Sequence, residues 1–219
     1  MNIGENLREI NDKIKAYATG PVTLVAVSKT VTCDEVRVAM SHGQTVFGEN
    51  RVQELQKKYS DIGDSATWHL IGHLQTNKVR YIIDKASLIH SVDSTRLADE
   101  ISKCAVAAGK QMPCLLQVNV SKEESKSGVY MEDVDRTVDY MMGLPGIKLQ
   151  GFMTMAPAAA TESELHKIFS QLNKKYLDIR QEYNHNNDIC MLSMGMTHDF
   201  EIALQEGANV IRIGTGVFH

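Results

Sequence analysis

Lys29 ends the stretch VTLVAVSKT (residues 22–30), an apolar, β-rich run in which Leu24, Val25, Ala26 and Val27 suit burial. A lysine at a strand end ordinarily lays its stem on apolar surface and keeps its ammonium in water. The other use for it is chemical: beside low-dielectric walls an amine gives up its proton more readily and becomes a nucleophile toward a carbonyl. Two glycine motifs near the C-terminus have the composition of anion cradles: LSMGMTHD at 192–199 and IRIGTG at 211–216. Glycine lets backbone N–H groups approach phosphate oxygens closely, and Ser193 or Thr215 can add a hydroxyl donor. Thr197 and Asp199, followed by FEIALQEG, predict a helix beginning there, whose N-terminus favours an anion. Taken singly, each motif is equally served by a glycine turn between two elements.

These residues are positioned by a regular alternation of elements. Apolar β-rich runs occur at 22–28, 45–49, 67–71, 87–92, 114–120, 147–155, 189–193 and 209–213, with helical segments between them. Leu97, Ile101, Cys104, Ala105 and Ala108 form one helical stripe, and Leu165, Ile168, Phe169, Leu172, Tyr176 and Ile179 another. Thr32 with Glu35 and Thr161 with Glu164 read as capping boxes, and Gly43, Gly109 and Gly207 as helix stops. An extra amphipathic helix, with Leu7, Ile10, Ile14 and Tyr17 on one face, precedes the first strand. Eight strands alternating with helices fit an open doubly wound sheet or a (β/α)8 barrel; the count of eight favours the barrel. No Pro-, Gly- or Ser-rich linker interrupts the pattern, so residues 1–219 are expected to form one domain.

In such barrels the loops after strands seven and eight often hold phosphate, and the two glycine motifs fall there. Strand alternation puts Arg212 and Gly214 on one face and Ile211 and Ile213 on the other. With the isoleucines packed on the outer helices, Arg212 points into the barrel; pairing with a carboxylate such as Glu49 is its structural alternative. Barrel closure brings strand eight beside strand one, so Lys29, Arg212 and the phosphate loops gather at one mouth. A phosphate cradle, a buried guanidinium and a nucleophilic lysine together suit pyridoxal 5′-phosphate, which Lys29 would hold as a Schiff base.

Composition sets bounds. The 219 residues are 43% hydrophobic and 23% charged, with a formal net charge of −4, which disfavours nucleic-acid and anionic-membrane binding. The doublets Lys57-Lys58 and Lys174-Lys175 read as solvated helix faces. Neither a signal peptide nor a run of membrane-spanning length is seen. Cys33, Cys104, Cys114 and Cys190 lack zinc or redox spacing, and three of them lie in apolar patterns, which predicts a reduced, cytoplasmic protein. His69 and His73 are four apart in HLIGH, but one ends a strand and the other enters a loop, so no metal is assigned.

The motifs AVSKT, FGENRVQE, WHLIGHLQTNK, IHSVD, GFMTMAP, LSMGMTHD and RIGTG occur in this order. In them the chain resembles, from about Val22 to Phe218, the YggS/PROSC family of pyridoxal-phosphate homeostasis proteins. That resemblance implies a single (β/α)8 barrel like the cofactor-binding barrel of alanine racemase. It implies Lys29 as the internal aldimine and Asn50 as a lining residue. Ser193, Met194, Gly195, Met196, Gly214 and Thr215 are implied to hold the phosphate, with Arg212 facing the pyridine nitrogen. His69 is either a neighbour of the site or a packed strand-end histidine. Arg51 stands where family members often carry an aromatic residue, and the chain stops at His219 where many relatives run longer.

Two functions are consistent with such a site. One is a carrier that keeps free aldehyde low, maintains intracellular vitamin B6 and amino-acid balance, and passes the cofactor to apo forms of pyridoxal-phosphate enzymes. The other is a small amino-acid racemase or lyase. Arginine can only donate a hydrogen bond to the ring nitrogen, which leaves the ring a weak electron sink. Alanine racemase takes a tyrosine base from a separate domain; here the sequence ends with strand eight, and Tyr59, Tyr81 and Tyr176 lie in helical stretches. The carrier is therefore expected, acting as a monomer. In NVSKEESKSGV, Lys126 is a candidate secondary contact for the aldehyde during entry or release, and a solvated charged loop is the alternative.

Overall fold

The computed structural model describes residues 2–183 and 188–219. Helix α1 (Ile3–Tyr17) leads into β1 (Thr23–Val27), α2 (Cys33–Ser41), β2 (Val46–Glu49), α3 (Val52–Ile62) and β3 (Thr67–Leu70). There follow β4 (Leu88–Val92), α4 (Thr95–Ala107), β5 (Met112–Gln117), α5 (Val134–Met142), β6 (Ile147–Met153) and α6 (Glu162–Glu182). The chain continues through β7 (Met191–Ser193), α7 (Phe200–Gln205), β8 (Val210–Ile213) and α8 (Thr215–Phe218). The eight strands are parallel and close into a barrel in chain order, with Val25 opposite Arg212 across the β1–β8 seam.

Local chemistry accounts for the boundaries. Both capping boxes form, at Thr32 with Glu35 and at Thr161 with Glu164. Gly43, Gly109 and Gly207 take positive φ values that end their helices. Between β3 and β4 a 3₁₀ turn, Thr76–Tyr81, replaces an α-helix; Val79, Ile82 and Ile83 still cover the barrel there. On α1, Ile3, Leu7 and Ile10 are buried against the C-terminal end of the chain, whereas Tyr17 is exposed, one turn past the packed region. A short helix, α8, follows the last strand, and Asn6 donates to its Val217 carbonyl (3.0 Å).

The main core lies between strands and helices, with Phe47, Trp68, Ile89, Phe152, Ile211 and Ile213 pointing outward into it. Inside the barrel a smaller cluster of Leu88, Leu115 and Met153 packs with Met155 and Met191. The inward positions of β4, β7 and β8 nearer the strand ends carry His90, Ser193 and Arg212 instead, all buried. An apolar plug below and a polar layer above make the upper mouth the place for a ligand.

Candidate functional site

The mouth of the barrel is built from residues at and just beyond the C-terminal ends of the strands. Those around a cavity of about 430 Å³ are Val27 and Lys29 from β1 and its loop, Asn50 after β2, and Ile71, Gly72 and His73 after β3. Gln117 and Ser127 come from β5 and its loop, Met155 lies after β6, and Met196, Thr197 and His198 lie after β7. Arg212, Gly214 and Thr215 complete the ring from β8 and the turn beyond it. Gly214 packs so closely on strand one that a Cβ there would stand 3.3 Å from Val27 Cβ.

Of the residues singled out in the sequence, Lys29, Asn50, Met196, Arg212, Gly214 and Thr215 thus meet on one cavity. Lys29 itself is exposed to it, on the inward face shared with Val27. Ser193, Met194 and Gly195 lie a layer deeper: all three are buried and none faces the cavity. Ser193 Oγ is already engaged, accepting from Arg212 Nη1 at 2.5 Å and lying 3.0 Å from His90 Nδ1. Lys126 lies at the rim, its Nζ 3.2 Å from Glu123 and 3.4 Å from the Met155 carbonyl.

Gly195 takes φ +95°, and a Cβ there would stand 2.7 Å from Ala203 Cβ on α7. Only glycine lets the loop after β7 turn against that helix. Asp199 immediately precedes α7, and its carboxylate turns back to accept from the Met196 amide at 2.5 Å. Gly195→Ala is expected to lower stability by roughly 2 kcal/mol, measured by urea unfolding, because a side chain is strained there.

Arg212 is the electrostatic centre of the site. Burial pulls its guanidinium down to about 10, a fall limited by the Asp199 carboxylate, so it remains protonated at neutral pH. Its Nη2 donates to the Thr154 carbonyl at 2.9 Å. Behind Ser193, His90 Nε2 lies 3.0 Å from His69 Nδ1. Arginine only donates, so Ser193 accepts from it and sends its own proton to His90; His90 in turn donates to His69. Burial holds His69 down to about 4 and His90 well below its ordinary value, so both rings are neutral. His69 is therefore a packed member of this layer, away from the cavity lining.

His90 carries no motif that marks it for this layer; an inward histidine between apolar neighbours in LIHSV is the trace it leaves in the sequence. Lys58 reverses its expectation as part of a solvated doublet: it is buried, 2.6 Å from Glu49 Oε1. It stands three residues after Leu55 on the face that α3 turns to the barrel, whereas Lys57 is exposed. With Glu49 so occupied, Arg212 finds its partners in Ser193 and Thr154. Cys114 is buried, but Cys190 is exposed because it precedes β7 outside the barrel wall. No helix among the described residues is long and apolar enough to cross a membrane.

The sequence matches the family model "Alanine racemase, N-terminal domain" over residues 2–219. It is 43% identical over 225 residues to the pyridoxal phosphate homeostasis protein of Aquifex aeolicus, covering 100% of this chain and 98% of that one. With the Pseudomonas aeruginosa protein of the same name the identity is 38%, over 99% and 94% of the two chains. The structure of PipY from Synechococcus elongatus with pyridoxal phosphate bound superposes with a TM-score of 0.89 at 33% identity, covering 99% of this chain and 100% of that one. A full-length match to the family model, with relatives above a third identical, leaves one conclusion: the chain belongs to the alanine racemase N-terminal domain family, in its branch of pyridoxal phosphate homeostasis proteins.

Proposed function

We propose that the cavity binds pyridoxal 5′-phosphate reversibly, with Lys29 as its covalent anchor, and that the protein holds and hands on this cofactor. The observation that carries the reading is the meeting of Lys29, Arg212 and the Gly214-Thr215 turn on one cavity of about 430 Å³. The donor set fits: an amine for the aldehyde, a guanidinium for the ring nitrogen, and a glycine turn with a threonine hydroxyl for the phosphate. The cavity is of the size that encloses a small cofactor. PipY, solved with pyridoxal phosphate bound, supports the same assignment by likeness.

When bound, the cofactor supplies an aldehyde carbon on which an amine condenses with loss of water. The protein's own residues orient and restrain it. Asn50, which lines the cavity with Lys29, would contact the cofactor beside its anchor, and Met196, Thr197 and Thr215 would hold the phosphate. Arg212, already tied to Ser193 and Thr154, would offer the ring nitrogen a donor, which would leave it unprotonated and limit carbanion stabilisation. No tyrosine or carboxylate is among the described cavity residues, which supports holding over catalysis. Action as a monomer, delivery to apo forms of pyridoxal-phosphate enzymes in the cytoplasm, and through it vitamin B6 and amino-acid balance, complete the proposal.

The competing reading, an amino-acid racemase or lyase, draws on His73 and His198 at the mouth, the former 3.2 Å from Asp93. Incubating the cofactor-loaded protein with L-alanine in deuterated water separates the two. No deuterium at the α-carbon, monitored by NMR, is the expected outcome; exchange that depends on Lys29 would make the protein an enzyme.

A further inference from the structure

Beneath the exposed Lys29 lies a buried charge cluster that the site as described does not use. Lys58 and Glu49 are 2% and 0% exposed, and Lys58 Nζ donates to Glu49 Oε1 at 2.6 Å. The same carboxylate oxygen accepts from Ser28 Oγ at 2.6 Å, and Lys58 also donates to the Ser28 carbonyl. Glu49 Oε2 is buried with no hydrogen-bond partner among the described residues. Stability is a poor reason for such a pair: desolvating both charges costs about as much as their attraction returns, and well-packed apolar residues often serve as well.

The placement suggests another reason. Ser28 immediately precedes Lys29, and Glu49 immediately precedes Asn50, so the cluster grips the backbone one residue before each of two cavity residues. At this point the sheet is ending. Ser28 N donates to the Gly48 carbonyl at 3.0 Å and Ile71 N to the Glu49 carbonyl at 2.9 Å, just past the last paired residues of β1 with β2 and of β2 with β3. The Ser28 carbonyl receives Val31 N (3.1 Å) as well as Lys58, so the tight turn after Lys29 and helix α3 share one acceptor.

We infer that Lys58 and Glu49 are positioning residues for Lys29: a buried ion pair that clamps the end of β1 to the end of β2 and fixes the direction in which the Lys29 amine enters the cavity. The inference rests on the reading of Lys29 as the covalent anchor. Its consequence is a split between binding and capture. Loosening the clamp leaves the phosphate and ring contacts in place but misaims the amine, and a small misplacement of a reacting group costs rate steeply.

The test compares wild type with Lys58→Met, Lys58→Arg and Ser28→Ala, using pyridoxal 5′-phosphate, pyridoxine 5′-phosphate and acetic anhydride as probes. In Lys58→Met, capture of pyridoxal 5′-phosphate, monitored by absorbance and borohydride trapping, is expected to slow about tenfold. Affinity for pyridoxine 5′-phosphate, which lacks the aldehyde, should stay within about twofold because the cavity lining is intact. Without any cofactor, acetylation of Lys29 relative to the exposed Lys174, read by peptide mass spectrometry, should change by about threefold or more. Lys58→Arg, which keeps the cation and its donors, should restore both readouts. Wild-type capture and Lys29 labelling in a Lys58→Met protein that merely melts earlier would overturn the proposal and leave the pair structural. Should Lys58→Met not fold, Ser28→Ala decides: slower capture by about threefold is expected, and an unchanged rate refutes the clamp. If wild type forms no adduct at Lys29, the anchor reading fails, while the acetylation ratio still judges the clamp.

Discussion

Lys29→Ala is expected to abolish covalent capture of pyridoxal 5′-phosphate while leaving the fold intact. Lys29 is exposed and lies past the end of β1, so truncating it removes no core contact, and stability should change by less than about 0.5 kcal/mol. The visible band of the bound cofactor should revert to that of the free aldehyde, and borohydride should no longer add mass to the peptide carrying position 29. Weak binding should survive through Arg212, Thr215 and the Met196–Thr197 loop, with affinity lower on the order of 100-fold, which is about 2.7 kcal/mol. An unchanged band, with the trapped adduct mapped to Lys126 at the rim or to another lysine, would overturn the anchor assignment. Loss of the band with loss of folded protein would be uninformative, which is why circular dichroism of the variant belongs to the same experiment.

Acidification should destabilise the protein through the polar layer under the cavity. His69 is held at about 4 by burial, well below the ordinary value of 6.5 that the unfolded chain restores, and His90 is also held well below it by burial, by His69 and by Arg212. A group whose folded value is depressed takes up its proton in the unfolded state first. Stability from these neutral rings is complete above pH 6.5 and is lost as pH falls toward 4, by about 3 kcal/mol from His69 alone. Urea unfolding at neutral pH and near the lower end of that window should show the loss in wild type. It should be smaller in His69→Gln/His90→Gln, whose amides cannot take up a proton. Equal acid sensitivity in both proteins would mean the histidine layer is not the acid-labile element. The same chain of donors links pH to the site, because a proton on His90 places a second cation beside Arg212.

Much of this protein was legible before folding was considered. Eight apolar runs separated by amphipathic stripes define the barrel, since a strand buried on both sides must be continuously apolar and a covering helix must repeat every three to four residues. The strand alternation around Arg212, with Ile211 and Ile213 opposed to it, comes from the pleat alone. The roles proposed for Lys29, Asn50 and the glycine motifs rest on the motifs and their family likeness, and the structure gathers most of those residues on one cavity while setting Ser193, Met194 and Gly195 beneath it. Only tertiary packing decided the fate of the polar residues. Lys57 and Lys58 are chemically identical neighbours, yet α3 turns the second onto the barrel, where Glu49 lies nine residues away in sequence and Ser28 thirty. His69, His90, Ser193 and Arg212 come from four different strands, and no local pattern says that their side chains form one line. The reason is physical: an apolar side chain announces its burial by its own transfer free energy, whereas a polar one is buried only where a distant partner satisfies it, and that partner exists only once the barrel has closed.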